Sequence, residues 1–239
     1  MPMLETKQLN KWFGGLHVTG NVDFAIGRDE IHCLVGPNGA GKSTFFHLLL
    51  GQLTPKSGQI LFQGHDITGL PSYKRINMGM SVKFQVPGIF NEMSVQQNLQ
   101  VALQRRINEL NVVNDECERL LHFLKLEAQA LQHAGNLSHG QKQWLEIGMA
   151  VALHPKLLLL DEPTAGMTPE ETFQTGLMIQ ELNREGMAVL VVEHDMTFVR
   201  QVAHQVTVLN YGKIFARGTI NEIEQNEEVI DIYLGKRHD

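Results

Sequence analysis

Cysteine is almost missing from this chain: Cys33 and Cys117 are the two in 239 residues, far apart and outside any CxxC spacing. A disulfide framework or a structural zinc site cannot be built from such a pair, and a reducing compartment is expected. Long apolar runs are lacking too. The most hydrophobic stretches, residues 157–160 and 188–192, fall far short of the roughly 20 residues a helix needs to cross a bilayer. Any membrane association is therefore expected to pass through a partner. Residues 1–10 hold Glu5 and no basic stretch ahead of an apolar block, so they do not read as a signal peptide. Positive charge is in deficit, with 20 Lys and Arg against 26 Asp and Glu. The resulting net charge of -6 argues against a nucleic-acid partner, whose phosphates call for a basic face. What is present, 43% hydrophobic and 19% charged residues, is an ordinary globular composition with material for a large core.

Residues 4–26 alternate apolar and polar positions around Gly14, Gly15 and Gly20, which suits an antiparallel sheet. Residues 31–35 read as a buried strand running into a glycine-rich turn and then an apolar helix over 43–50, closed by Gly51. Further strands are read at 58–63 and 80–84. From 94 to 152 strand signals vanish: Leu99, Val101, Leu103, Leu120, Leu121 and Leu124 recur at helical spacings, indicating a helical insert. Apolar strands return at 157–160, 188–192 and 206–209, separated by helical stretches near 168–183 and 196–203, the pattern of a parallel α/β core. A hairpin over 206–217 turns at Asn210-Tyr211-Gly212, and a short helix over 227–235 ends the chain. No repeat or long linker divides it.

Gly36-Pro37-Asn38-Gly39-Ala40-Gly41-Lys42-Ser43 fits GxxxxGK[ST] between a strand and a helix, the context its mechanism requires. Glycines let successive backbone N–H groups curl around a phosphate, and the helix aims its positive end at the anion. Lys42 bridges phosphates and Ser43, followed by Thr44, offers a hydroxyl to Mg²⁺. Leu157-Leu158-Leu159-Leu160-Asp161-Glu162 places two carboxylates at the C-terminal end of a buried strand, where open α/β sheets have their ligand crevice. Strand alternation sends the two in different directions, so that one can hold Mg²⁺ while the other polarises a water.

A third motif, Leu137-Ser138-His139-Gly140-Gln141, is close to the LSGGQ signature, and with it the chain resembles the ABC ATPase family along essentially its whole length. Residue types agree with a phosphate role: Ser138 is a good N-cap, Gly140 permits close approach, and the helix beyond presents free N–H groups. The resemblance implies a P-loop ABC ATPase fold of class α/β, with an antiparallel β part (about 1–30), a core (about 31–85 and 155–239) and a helical subdomain (about 86–154). It implies that Phe13 stacks on adenine, with Trp12 as the neighbouring alternative. Residues 36–44 would hold ATP, and Ser138, His139, Gly140 and Gln141 the ATP of a second ATPase subunit. Ser43, Gln85 and Asp161 would place Mg²⁺, with Gln85 and Asp161 also helping to place the water, Glu162 would be the general base, and His194 would contact the γ-phosphate.

Two departures stand out: His139 where the family has glycine, and Gly166-Met167-Thr168 where its loop ends in aspartate. Residues 84–90, 137–149, 165–171 and 192–196 look like the urea-type branch of the branched-chain amino acid importers. On that resemblance the chain would power import of urea, short-chain amides or branched-chain amino acids. Its partners would be transmembrane permease subunits, an identical or related ATPase and a solute-binding protein, at the cytoplasmic face of the membrane. A non-transport ABC ATPase acting on ribosome or DNA is the alternative reading. The segment after Gln85, through Phe90 and Met93, is either a docking surface for a permease helix or part of the insert's own core.

Overall fold

The computed structural model describes residues 1–84 and 88–234. Strands β1 (Leu4–Phe13) and β2 (Leu16–Ile26) pair antiparallel as their alternation predicts. The buried run β3 (Ile31–Val35) then feeds helix α1 (Lys42–Leu50) through the glycine-rich loop. The next strands, β4 (Ser57–Phe62) and β5 (His65–Asp66), depart from the sequence boundaries, which put 31–85 in the P-loop core. Strand β4 instead hydrogen-bonds to β1, giving a four-stranded sheet in the order β2-β1-β4-β5. Its buried residues Ile60 and Phe62 join Leu4, Leu9 and Phe24 of that sheet in one apolar cluster, and a half-buried strand bonds to whichever edge completes that face.

Helix α2 (Ser72–Asn77) leads to β6 (Met80–Lys83). The insert contributes α3 (Val95–Leu103), α4 (Leu110–Phe123) and α5 (His139–Val151). Strand β7 (Leu157–Asp161), helix α6 (Pro169–Arg184), strand β8 (Ala188–Val192) and helix α7 (Met196–Val202) follow. Strands β9 (Gln205–Asn210) and β10 (Lys213–Gly218) form the expected hairpin, and α8 (Ile220–Glu224) and α9 (Glu227–Leu234) close the described chain. The second sheet runs β10-β9-β3-β8-β7-β6, parallel except at the β9–β10 hairpin.

Period-two alternation divides the central strands between two cores. Leu158 and Leu160 of β7 and Val189 and Val191 of β8 pack with the helical insert and with α6 and α7. Leu157, Leu159, Ala188 and Leu190 pack on α1 and the antiparallel sheet. The four leucines of β7 are fully buried, each worth about 1.5–3 kcal/mol relative to exposure. Parallel strands put their C-terminal ends along one rim of the sheet, and there the loops after β3, β7 and β8 meet.

Candidate functional site

The loop after β3 closes onto α1 through Gly41, whose φ of 99° is the left-handed conformation open to glycine. A Cβ there would stand 2.7 Å from the carbonyl oxygen of Val18, so β2 lies directly against the loop. Residues 38–44, with Val18, Glu162 and Val192, line a cavity of about 250 Å³. The Lys42 ammonium donates to the carbonyl oxygens of Gly36, at 2.6 Å, and Pro37, at 3.1 Å. Burial pulls its pKa below the usual lysine range, opposed by the charges of Glu162 and Asp161.

Strand β7 ends at Asp161, paired with Val192 of β8. Alternation does not continue past it: Glu162 has φ 43°, a left-handed conformation costing a non-glycine residue about 1–3 kcal/mol, and its side chain lines the phosphate cavity. The two carboxylates are thus distinguished by this backbone turn, and both act on Lys42. Burial raises the Asp161 pKa, and the neighbouring Glu162 charge adds to the rise. Beneath them the fully buried Lys83 of β6 donates to the carbonyl oxygens of Asp161 and Glu162, at 3.3 and 3.4 Å. From the loop after β8, His194 Nδ1 reaches within 3.6 Å of Glu162 Oε1.

A family model described as "ABC transporter" matches residues 19–165. The chain is 35% identical to the high-affinity branched-chain amino acid transport ATP-binding protein BraF of Pseudomonas aeruginosa, across 98% of both chains. It is equally similar to LivG of Escherichia coli (strain K12), which carries the same description. This chain belongs to the ABC transporter family. It superimposes on a nucleotide-free ATP-binding cassette of an ABC transporter with a TM-score of 0.89 at 29% identity, over 99% of this chain and 100% of that one. The ADP conformation of such a cassette matches with a TM-score of 0.88, also at 29% identity.

The chain is therefore an ATP-binding subunit whose characteristic activity is ATP hydrolysis. In this ABC ATPase the signature lies apart from the phosphate cavity, whose lining contains none of Ser138, His139, Gly140 or Gln141. Ser138 is the N-cap of α5, accepting from the Gln141 N–H while the Gln141 side chain accepts from the Ser138 N–H. His139 is the first residue of the helix, in helical backbone, so histidine meets no left-handed strain there. Its Nε2 is bonded to the carbonyl oxygen of Ala165, in the loop after the acid pair. A Cβ on Gly140 would meet Glu171 Oε1 at 2.4 Å, and Trp144 Nε1 donates to Thr175 Oγ1 at 2.8 Å, so α5 is seated on the start of α6. Thr168 caps α6 in a capping box with Glu171.

The two aromatics at the end of β1 are packed differently. The Trp12 ring stacks on His17, centroids 3.9 Å apart, whereas Phe13 ends β1 at 47% exposure with the Lys11 ammonium over its ring. Gln85 lies outside the described residues. Val18, Thr164 and Lys83 lie in none of the motifs, and their place at the site arises from the packing of separate elements. Val192 and Glu193 fall within the 192–196 resemblance, which assigns them no role. Among the described residues no helix is long and apolar enough to cross a membrane.

Proposed function

We propose that two copies of this ATPase, or one copy and a related subunit, enclose ATP between the phosphate loop of one chain and the α5 end of the other. The observation that carries this is the presence in one chain of two anion-ready helix starts, α1 and α5, with only the first opening into the cavity that holds Glu162. The α5 end carries the Ser138 hydroxyl free to donate, since its capping bond uses the oxygen as acceptor. A triphosphate supplied from a partner's cavity satisfies it.

Within the cavity, loop N–H groups and Lys42 hold the β- and γ-phosphates, and Phe13 offers its exposed ring to adenine. Glu162 takes the proton from an attacking water, and His194 donates to the γ-phosphate. The donor set fits Mg²⁺: the Ser43 hydroxyl and Asp161 carboxylate are hard oxygen ligands, the remainder coming from phosphate and water, and Gln85 is assigned alongside them. A divalent cation held by these residues would supply positive charge against the phosphates and against the buried Asp161 carboxylate, whose pKa burial raises.

The subunit powers an importer of small organic solutes, either branched-chain amino acids, as in the names of its relatives, or urea and short-chain amides, as the branch-specific segments suggest. It works at the cytoplasmic face of the membrane with permease subunits and a solute-binding protein. A groove of about 230 Å³ between α2 and the edge strand β6 offers apolar surface for a permease helix, and Phe90 and Met93 are exposed apolar residues of the segment after Gln85. Ile89 packs on the insert's core, so the segment divides between the two roles considered for it.

The test uses the full-length chain with ATP and Mg²⁺. Glu162→Gln is expected to lower turnover by about 10²-fold or more and to accumulate as an ATP-bound dimer in gel filtration. A monomer that hydrolyses ATP at the parent rate would remove Glu162 and the shared site together.

A further inference from the structure

Glu193 is 1% exposed, stands at the end of β8 beside His194, and lies outside the cavity lining. A buried carboxylate needs donors, and this one has four. Its Oε1 accepts from the Thr164 backbone N–H at 3.3 Å and from the Thr164 hydroxyl at 2.5 Å. Its Oε2 accepts from the backbone N–H groups of His194, at 2.8 Å, and Asp195, at 3.3 Å. One oxygen thus faces the loop after β7 and the other the loop after β8.

These are the loops that carry Glu162 and His194. The ladder between β7 and β8 ends at the Asp161–Val192 pair, and the Glu162 N–H adds one bond to the Val192 carbonyl, at 2.9 Å. Beyond that point the Glu193 side chain continues the tie, holding Thr164, two residues past Glu162, against the backbone of His194. His194 Nδ1 lies 3.6 Å from Glu162 Oε1 and also 3.6 Å from Glu193 Oε2, so the clamp reaches the imidazole as well as its backbone.

We propose that Glu193 is a positioning residue for ATP hydrolysis: through Thr164 on one side and the 194–195 backbone on the other, it fixes Glu162 and His194 at a common distance from the γ-phosphate without touching the nucleotide. The proposal rests on the assignment of Glu162 and His194 above. Small misplacements of reacting groups are costly in rate, while nucleotide binding, carried by the loop and Lys42, is left alone.

The full-length chain decides it with two variants. Glu193→Gln keeps the size but turns an amide N–H₂ toward N–H donors whichever way it is oriented; Thr164→Val keeps the carboxylate and removes the hydroxyl. Steady-state turnover is measured with the thermal midpoint and with Glu162→Gln as reference. Glu193→Gln is expected to lower kcat about tenfold or more while KM for ATP changes less than about threefold. Thr164→Val is expected to lower kcat in the same direction, and the double variant to be no slower than Glu193→Gln, because both break one tie. A buried group that only stabilises the fold would lower the midpoint and leave kcat per folded site at the parent value. Parental kcat in Glu193→Gln alongside an inactive Glu162→Gln overturns the proposal. Should Glu193→Gln not fold, parental kcat in Thr164→Val does the same. An active Glu162→Gln overturns the base assignment instead.

Discussion

The Nε2 atom of His139 lies 2.8 Å from the carbonyl oxygen of Ala165, joining the signature motif to the loop after the acid pair within one chain. The glycine usual at this family position has no side chain to make that bond. His139→Ala is expected to cost about 0.5–1 kcal/mol, the worth of one hydrogen bond, seen as a fall of roughly 1–4 °C in thermal midpoint. ATP binding by the isolated chain should be unchanged, since His139 is outside the cavity, while turnover of the paired subunits falls. An unaltered midpoint and turnover would show the contact to be inconsequential.

Arg75 is 1% exposed and donates to the carbonyl oxygens of Leu48, Leu49, Thr68 and Leu70. It closes the C-terminal end of α1, the helix whose other end forms the phosphate loop. Burial lowers its pKa to about 10, still charged at neutral pH, with Asp66 opposing the shift. Arg75→Ala is expected to destabilise by about 3 kcal/mol or more in urea unfolding, because buried carbonyls lose a charged donor. Arg75→Lys should restore only part of this, lacking the planar fork.

Asp161 is expected to trade stability for function. Burial, then the Glu162 charge, raises its folded pKa above the unfolded 3.8, so the folded state binds the proton more tightly. Stability from this group is therefore greatest at low pH and is lost as pH rises through 3.8 to the folded value. Asp161→Asn should unfold at a higher temperature than the parent at about pH 7, with the difference shrinking as the parent is acidified, and should not turn over ATP. A variant less stable than the parent at neutral pH would contradict the sign.

Lys42→Met is expected to weaken ATP binding by on the order of 10²-fold in calorimetry, since charge-assisted hydrogen bonds to phosphate contribute about 3 kcal/mol. Binding at parental affinity would displace Lys42 from the phosphate site.

Much of this architecture is legible in the sequence because two local rules operate strongly. The unbroken runs at 31–35, 157–160 and 188–192 bury both faces of a parallel sheet, and residues 36–43 and Ser138 declare a phosphate loop and a cap through chemistry confined to a few neighbours. Relationships between distant segments are not written that way. Residues 57–62 have a strand's alternation, but which sheet completes their face depends on β1. Alternation sends Glu162 away from Asp161 only while the strand continues, and the turn at φ 43° ends it. The stacking of Trp12 on His17 joins the two strands of a hairpin and is invisible to any local pattern. Glu193 and Thr164 are separated by 29 residues and meet because β7 and β8 are neighbours.

The Lys42 ammonium rests on the carbonyls of its own loop, which alters what an arriving nucleotide encounters. Folding already supplies that cation with two carbonyl oxygens, so an arriving phosphate competes with protein acceptors as well as with water. On the proposed role of Lys42, affinity for the triphosphate reports a contest between these carbonyls and the phosphate oxygens.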